Sequence, residues 1–421
     1  MPQRWRKILL SLLAAPVLFT ACNRNFSSDN PITPSYIPSI IINSDNQVVY
    51  ALDPTTGLKN WQCALPISAS TPLGTELPIH FQPSPLVYGG MVYMAGTQTN
   101  PVPISDTIYK INSSTGTLIK KIYLSNTSGI GNNVQATPIA DANLIYVATT
   151  DYGTTGGTIY AIDTGTYVVK WSYSAGSPIV SSPTIYNGQV YFATTGGTVF
   201  CLDKTLGTLT WNYTPPISAG SVPATFYSSP SICAPYLYIG SVADSNMYCI
   251  KLTSSTTTGV ERWRYKTNGA IYSSPAANYG VCVFGSSDFN VYCLDTFLIG
   301  TATVPGARWV KPTSSAVESS PVINNGTVYI GSFDYNLYAF DIIHGNLRWK
   351  FASTSLIKSS PIVYGNSVYV ASYDKYLYSV DTASGTLKWS YNTNGQIQCS
   401  PAIEDLSHIN QNNSQISGFT N

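Results

Sequence analysis

The side chains able to do chemistry in this chain are few and dispersed. Eight cysteines and three histidines, His80, His344 and His408, carry the soft and nitrogen donors. No Cys-x-x-Cys spacing occurs and the histidines are far apart, so a structural zinc site is not expected. Cys201, Cys249 and Cys293 fall at one recurring position, filled elsewhere by Ala51, Ala161, Ala339 and Ser379, which reads as a demand for a small packing residue. Cys282 and Cys293 sit on neighbouring strands of one hairpin and are the one candidate disulfide pair, its sulfur geometry being open at this stage. No Cys-Cys dipeptide is present. Acid–base chemistry would have to come from isolated carboxylates, because only 10% of residues are charged.

These residues are positioned by a repeat of about 40 residues, seen nearly clean in 319–351 and 359–391. It runs small-Ser-Pro, a short apolar stretch, a Gly or Asn turn, Val-Tyr-Val/Ile, a loop, Leu-Tyr-Ala-Leu-Asp, Thr-Gly and Trp. A period of this length holding four short alternating strands predicts a β-propeller blade. The anchor proline recurs eight times, as Pro85, Pro138, Pro183, Pro230, Pro275, Pro321, Pro361 and Pro401. The blade tryptophan recurs as Trp61, Trp171, Trp211, Trp263, Trp309, Trp349 and Trp389, and the unit after Pro85 carries Lys120-Lys121-Ile122 in its place. In Asp-x-x-x-Gly-x-x-x-Trp, the Asp is expected to accept turn N–H groups, the Gly to take a positive φ, and the Trp to cover the neighbouring blade. The tyrosines at repeated strand positions are expected to pack between blades.

The ends of the array complement each other. Residues 39–65 supply three strands with no Ser-Pro strand before them, and 398–403 supply one Ser-Pro strand with nothing after it. The expected fold is therefore all-β, an eight-bladed β-propeller of four-stranded antiparallel blades, with the ring closed by one C-terminal and three N-terminal strands. Such closure removes open sheet edges. The expected domains are a signal peptide at 1–21, a flexible tether at 22–38, the propeller at 39–403 and a polar tail at 404–421.

The residue three before each anchor proline should stand at one mouth of the central channel: Gln82, Gln135, Val180, Tyr227, Tyr272, Glu318, Lys358 and Gln398. Among these, Gln82, Gln135, Tyr227, Tyr272, Glu318, Lys358 and Gln398 are the candidate binding residues. Glu318 and Lys358 are expected to form a local ion pair. The long insertions fall mostly in loops of this same face, where recognition on a rigid scaffold usually resides.

The repeat resembles the pyrroloquinoline-quinone-like (PQQ-like) repeat family over residues 39–403, on its Ser-Ser-Pro, Val-Tyr-Val-Gly-Ser, Leu-Tyr-Ala-Leu-Asp and Thr-Gly…Trp motifs. The family includes quinoprotein dehydrogenases, sensor domains and a lipoprotein of the outer-membrane assembly machinery. The enzymes of the family add a vicinal Cys-Cys pair, carboxylates for calcium and an Asp base. The first of these is missing here, and only one of the eight mouth residues is acidic, so a PQQ-dependent dehydrogenase is the least favoured reading.

The N-terminus directs the choice within the family. Arg4, Arg6 and Lys7 precede the apolar stretch 8–19, which ends Leu18-Phe19-Thr20-Ala21-Cys22. That pattern reads as a signal peptide and resembles a bacterial lipobox, making Cys22 the lipidation site. Two or more acyl chains on Cys22 suffice for stable anchoring. Asn23 after the cysteine favours the outer membrane. Removal of residues 1–21 takes three basic groups from 21 and leaves 18 against 20 acidic ones. No charged run remains, which argues against nucleic acid. The sequence therefore predicts a non-enzymatic, cofactor-free lipoprotein at the outer membrane of a Gram-negative bacterium, with its propeller in the periplasm and a protein partner on the loop-rich face. A carbohydrate or small-ligand module with Tyr227 and Tyr272 as an aromatic floor is the alternative.

Overall fold

A computed structural model describes residues 38–65, 79–80, 83–98, 106–124, 132–151, 156–217, 220–253, 257–278, 280–298 and 303–404. Every regular element among them is a β-strand. Apart from a small two-stranded ribbon, the strands form eight antiparallel sheets arranged as an eight-bladed β-propeller, each with the order A-B-C-D from the axis outwards. Blade 8 shows the pattern: A is Ile362–Tyr364, B is Ser367–Ala371, C is Tyr376–Asp381 and D is Leu387–Asn392. Blade 2 (A, Leu86–Tyr88; B, Met91–Gln98; C, Asp106–Asn112; D, Leu118–Leu124) and blade 3 (A, Ile139–Asp141; B, Leu144–Ala148; C, Thr158–Asp163; D, Val169–Ser174) follow it with longer connections.

Blade 1 is assembled from both ends. Its A strand, Ala402–Glu404, pairs with its B strand, Ser39–Ser44, in the register Ile41↔Ala402, Ile40↔Ile403 and Ser39↔Glu404. Its C and D strands are Val48–Leu52 and Lys59–Ala64. The predicted closure is thus observed. The last strand starts at Ala402 instead of Gln398 and runs one residue into the segment expected to be irregular, because Glu404 is buried at 1% exposure against strand B. The remainder of the expected tail, the signal peptide, Cys22 and most of the tether lie outside the described residues.

Strand alternation explains the burial. The B strand of each blade is almost wholly buried because both faces of its sheet are covered by neighbouring blades, whereas the D strands alternate buried and exposed. Cross-strand pairing also explains the small repeated position. Ala51, Ala161, Cys201, Cys249, Cys293, Ala339 and Ser379 each lie directly opposite the blade tryptophan of their sheet. The seven cysteines among the described residues are all free thiols. The candidate Cys282–Cys293 bridge is not formed: Cys282 is opposite Leu294 and Cys293 opposite Val283, so the two side chains leave opposite faces of the sheet. Burial pushes the Cys282 thiol well up and the Cys293 thiol to about 12.

Trp61, Trp171, Trp211, Trp309, Trp349 and Trp389 each cover the C–D turn of the next blade, as the repeat predicts, whereas the buried Trp263 Nε1 has no partner among the described residues. Trp389 Nε1 donates to Pro54 O at 3.0 Å, Trp349 to Thr382 O at 3.0 Å, Trp309 to Ile342 O at 3.0 Å and Trp61 to Ser113 O at 2.6 Å. The turn glycine lies flat beneath the indole. At Gly385, φ is +72° and an added Cβ would stand 2.7 Å from the Trp349 ring, so both conformation and space exclude a side chain.

The small-Ser-Pro anchor has two separate hydrogen-bonding tasks. Its first serine ties strand A to strand B of its own blade, as where Ser319 Oγ accepts Gly331 N–H at 3.1 Å and Ser359 Oγ accepts Ala371 N–H at 2.9 Å. Its second residue links blade to blade. Ser84 N–H donates to Thr137 Oγ1, Thr137 to Ser182 Oγ, Ser182 to Ser229, Ser229 to Ser274, Ser274 to Ser320, Ser320 to Ser360, Ser360 to Ser400 and Ser400 back to Ser84, all at 2.8–3.1 Å. Eight hydrogen bonds therefore close a girdle around the axis, and the last of them joins the C-terminal strand of blade 1 to blade 2. Proline follows because strand A is the edge strand of its sheet, where a residue without an N–H is tolerated.

Candidate functional site

The loops joining D to the next A and those joining B to C share one face. Ile79–His80, in the connection from blade 1 to blade 2, pairs with Thr97 and Gln98 at the end of blade 2 strand B. Asn132–Asn133 likewise pairs with Thr150–Asp151. In blades 6, 7 and 8 an aspartate performs the same tie. Asp288, Asp334 and Asp374 each accept the hydroxyl of the strand C tyrosine, at 2.6–2.8 Å. Each also accepts a backbone N–H from the incoming D–A loop, from Asn268, Ser314 and Thr354 at 2.8–3.0 Å. The Leu-Tyr motif and the Ser-x-Asp turn therefore fix this face as a unit.

Most of the predicted mouth residues meet there. Tyr227 and Tyr272 are 44% and 37% exposed, with ring centroids 5.7 Å apart in an edge-on arrangement. Lys358 Nζ stands 3.8 Å from Glu318 Oε2, the expected ion pair. Burial raises the Glu318 carboxyl above its ordinary range, and Lys358 opposes that rise. Glu318 in turn helps burial raise the Tyr272 phenol. Gln398 Nε2 donates to Asp45 Oδ2 at 3.0 Å, while its Oε1 accepts the Tyr373 hydroxyl at 3.3 Å. Gln135 is half-buried, and Gln82 lies outside the described residues.

Asp45 and Tyr373 escaped the sequence analysis. Both follow a serine at the end of strand B, Ser44 or Ser372, in the B–C turn, so the signal was the variable residue of Ser-x-Asp, which in blades 7 and 8 is aromatic: Phe333 and Tyr373. The mouth is consequently two-sided. Tyrosines occupy the blade 5–6 side, and an alternating set of Glu318, Lys358, Gln398 and Asp45 occupies the blade 7–1 side.

This arrangement does not fit a calcium-held quinone. Calcium needs six or more oxygens, several anionic. Glu318 is engaged by Lys358 and Asp45 by Gln398, and among the described residues no three His, Cys, Asp or Glu side chains gather as ligands.

An all-β ring of eight such blades, Tyr- and Trp-stitched and closed by a Ser-Pro girdle, defines a propeller of the PQQ-like class. Residues 105–232 and 299–418, more than half of the chain, match the family described as outer membrane protein assembly factor BamB, and the chain belongs to that family. Among solved structures it is similar to BamB from Moraxella catarrhalis, at 16% identity and a TM-score of 0.58, over 77% of this chain and 93% of that one. It is similar to the computationally designed Ika8 protein at 16% identity and a TM-score of 0.59, over 77% and 92% of the two chains. A europium-containing methanol dehydrogenase matches at 12% identity and a TM-score of 0.60, over 76% and 80%. At these identities the likeness is one of fold. No curated protein matches the chain.

Proposed function

We propose that this protein is a non-enzymatic, lipid-anchored scaffold of the periplasmic side of the outer membrane, which binds a partner protein of outer-membrane assembly through its loop-rich face. The observation that carries the reading is the joining of D–A and B–C loops into one rigid face, in a chain of the BamB family. Rigid presentation lowers the ordering cost of association. Cys22 is the proposed anchor, and Cys22→Ala is expected to release the protein from membranes into the soluble fraction. A photo-crosslinker placed at Tyr227, Tyr272 or Lys358 is expected to capture outer-membrane assembly proteins in intact cells. Capture only from the exposed D strands would reject this face as the docking surface.

A second reading is favoured by the Tyr227–Tyr272 pair. Two edge-on rings, each more than a third exposed at a funnel mouth, offer a platform for the C–H face of a sugar. Glycan-array signal lost on Tyr227→Ala is the expected result for it.

A further inference from the structure

Below the mouth the channel narrows to a chamber of about 200 Å³ whose lining includes all eight hydroxyl-bearing residues of the girdle. The girdle is two residues below the mouth residues along each A-strand approach, roughly 7 Å at strand rise. Each girdle oxygen accepts one backbone N–H from the preceding blade, as Ser360 Oγ does from Ser320 and Ser400 Oγ from Ser360. Among the described residues none of the eight hydroxyls donates to a protein acceptor. A hydroxyl that already accepts still has a proton to place, and the chamber is where these protons can go.

Beyond the girdle the lining changes character. Pro321, Pro361 and Pro401, with Ile139, Ile362 and Leu86, form an apolar collar. The A strand is the axial edge of each sheet, and its backbone carbonyls stand along the channel. Among the described residues no charged side chain lines the chamber. An ion entering it would lose hydration with no counter-charge to meet it.

We propose that the chamber is a binding site for a small neutral polyol of single-sugar size. Such a guest has hydroxyl oxygens for the girdle protons, hydroxyl protons for the strand-edge carbonyls and a C–H face for the proline–isoleucine collar. The site is distinct from the tyrosine platform at the mouth and does not require it.

The test uses the purified mature protein with D-glucose, D-galactose and N-acetyl-D-glucosamine, read by saturation-transfer NMR and titration calorimetry, with inorganic phosphate as the charged comparison. At least one sugar is expected to bind and phosphate is not. Ser320→Ala/Ser360→Ala is expected to weaken sugar binding by about tenfold, the loss of two modest hydrogen bonds. Ser320→Thr/Ser360→Thr keeps both hydroxyls, as Thr137 does naturally, and is expected to retain binding. Should the alanine pair fail to fold, Thr137→Val removes one hydroxyl at nearly constant shape and is expected to weaken binding in the same direction. Absence of sugar binding, or saturation by phosphate alone, overturns the proposal. So does binding that survives loss of the girdle hydroxyls but disappears in Tyr227→Ala, which would place the sugar at the mouth and leave that reading standing.

Discussion

The junction between blades 7 and 8 and the junction between blades 2 and 3 solve the same packing problem with different residues. At the first, Trp349 lies opposite Ala339 on its own sheet, covers Gly385 of the next blade and donates to Thr382 O. At the second, Lys120 stands where the tryptophan would be, and Lys110 replaces the small residue opposite it. Tyr167, with φ of +61°, replaces the turn glycine. The missing indole donor is supplied by Lys110, whose Nζ reaches Thr164 O at 3.3 Å, the carbonyl equivalent to Thr382 O. Lys110 and Lys120 stack over Tyr167 at 5.1 and 5.6 Å, and Lys121 over Tyr109 at 5.8 Å. Three exchanges thus travel together: the large ring moves from strand D to the turn of the next blade, while lysines take both the tryptophan position and the small position opposite it. What these two junctions share is a cover and a donor for the turn carbonyl, not a tryptophan as such.

The largest expected contrast comes from deleting the cover. Trp349→Ala should cost about 3–5 kcal/mol, as large aromatic truncations in cores do, whereas Lys120→Ala should stay within about 1 kcal/mol because that side chain is exposed. Denaturant midpoints at constant slope measure both, and equal losses would erase the distinction between the junctions. Next is the turn. Gly385→Ala drives a Cβ into Trp349 at a positive φ and should cost about 2–4 kcal/mol. Tyr167→Gly should change stability by less than about 1 kcal/mol, strain relief offsetting the lost cation–π contact.

Restoring the regular residues one at a time sharpens the comparison. Lys120→Trp alone should destabilise by about 1–3 kcal/mol, because Lys110 and Tyr167 already occupy the space. Adding Lys110→Ala and Tyr167→Gly should recover most of that loss, a coupling that a multiple-mutant cycle reads directly. Simple additivity would show that the three positions are not one packing unit.

The smallest effect concerns what both junctions keep. Asp163 and Asp381 each cap their C–D turn, and both are held below the ordinary carboxylate range by turn hydrogen bonds, Thr166 N–H foremost for Asp163 and Ser384 N–H for Asp381. Asp163 should titrate at about 2 in an NMR pH series. Because its folded value is depressed, the associated stability is present above its unfolded pKa near 3.8 and is lost as pH falls through about 2. A midpoint at the unfolded value would mean the cap does not form beside Tyr167.

Much of this fold could be read from the chain. The eight Ser-Pro anchors counted the blades, and the missing strand at one end matched the surplus strand at the other. The tryptophan-to-glycine contacts followed from Asp-x-x-x-Gly-x-x-x-Trp. The paired exchange at Lys110 and Tyr167 was less visible, since it depends on which residues of adjacent blades face each other. The sequence exposed the loss of Trp at Lys120 but not what filled the gap. Cys282 and Cys293 misled because strand parity depends on hairpin length, and a shift of one residue puts the second sulfur on the other face. At the mouth, Tyr227 and Tyr272 came from position relative to proline, while Asp45 and Tyr373 required knowing that B–C turns converge on the same rim. The girdle was hidden in plain repetition: Ser before Pro was evident, its bond to the adjacent blade was not.

The sheet built from both termini sets an order on synthesis. Ile40, Ile41 and Ile42 are among the first propeller residues to leave the ribosome, yet their partners in Ala402–Glu404 are among the last. Until those partners arrive, that apolar edge has no permanent neighbour and must be held open or shielded. A chain cut short before Ser400 would leave one sheet a strand short and the hydroxyl circuit open, so residues 400–404 act as the clasp that locks the ring.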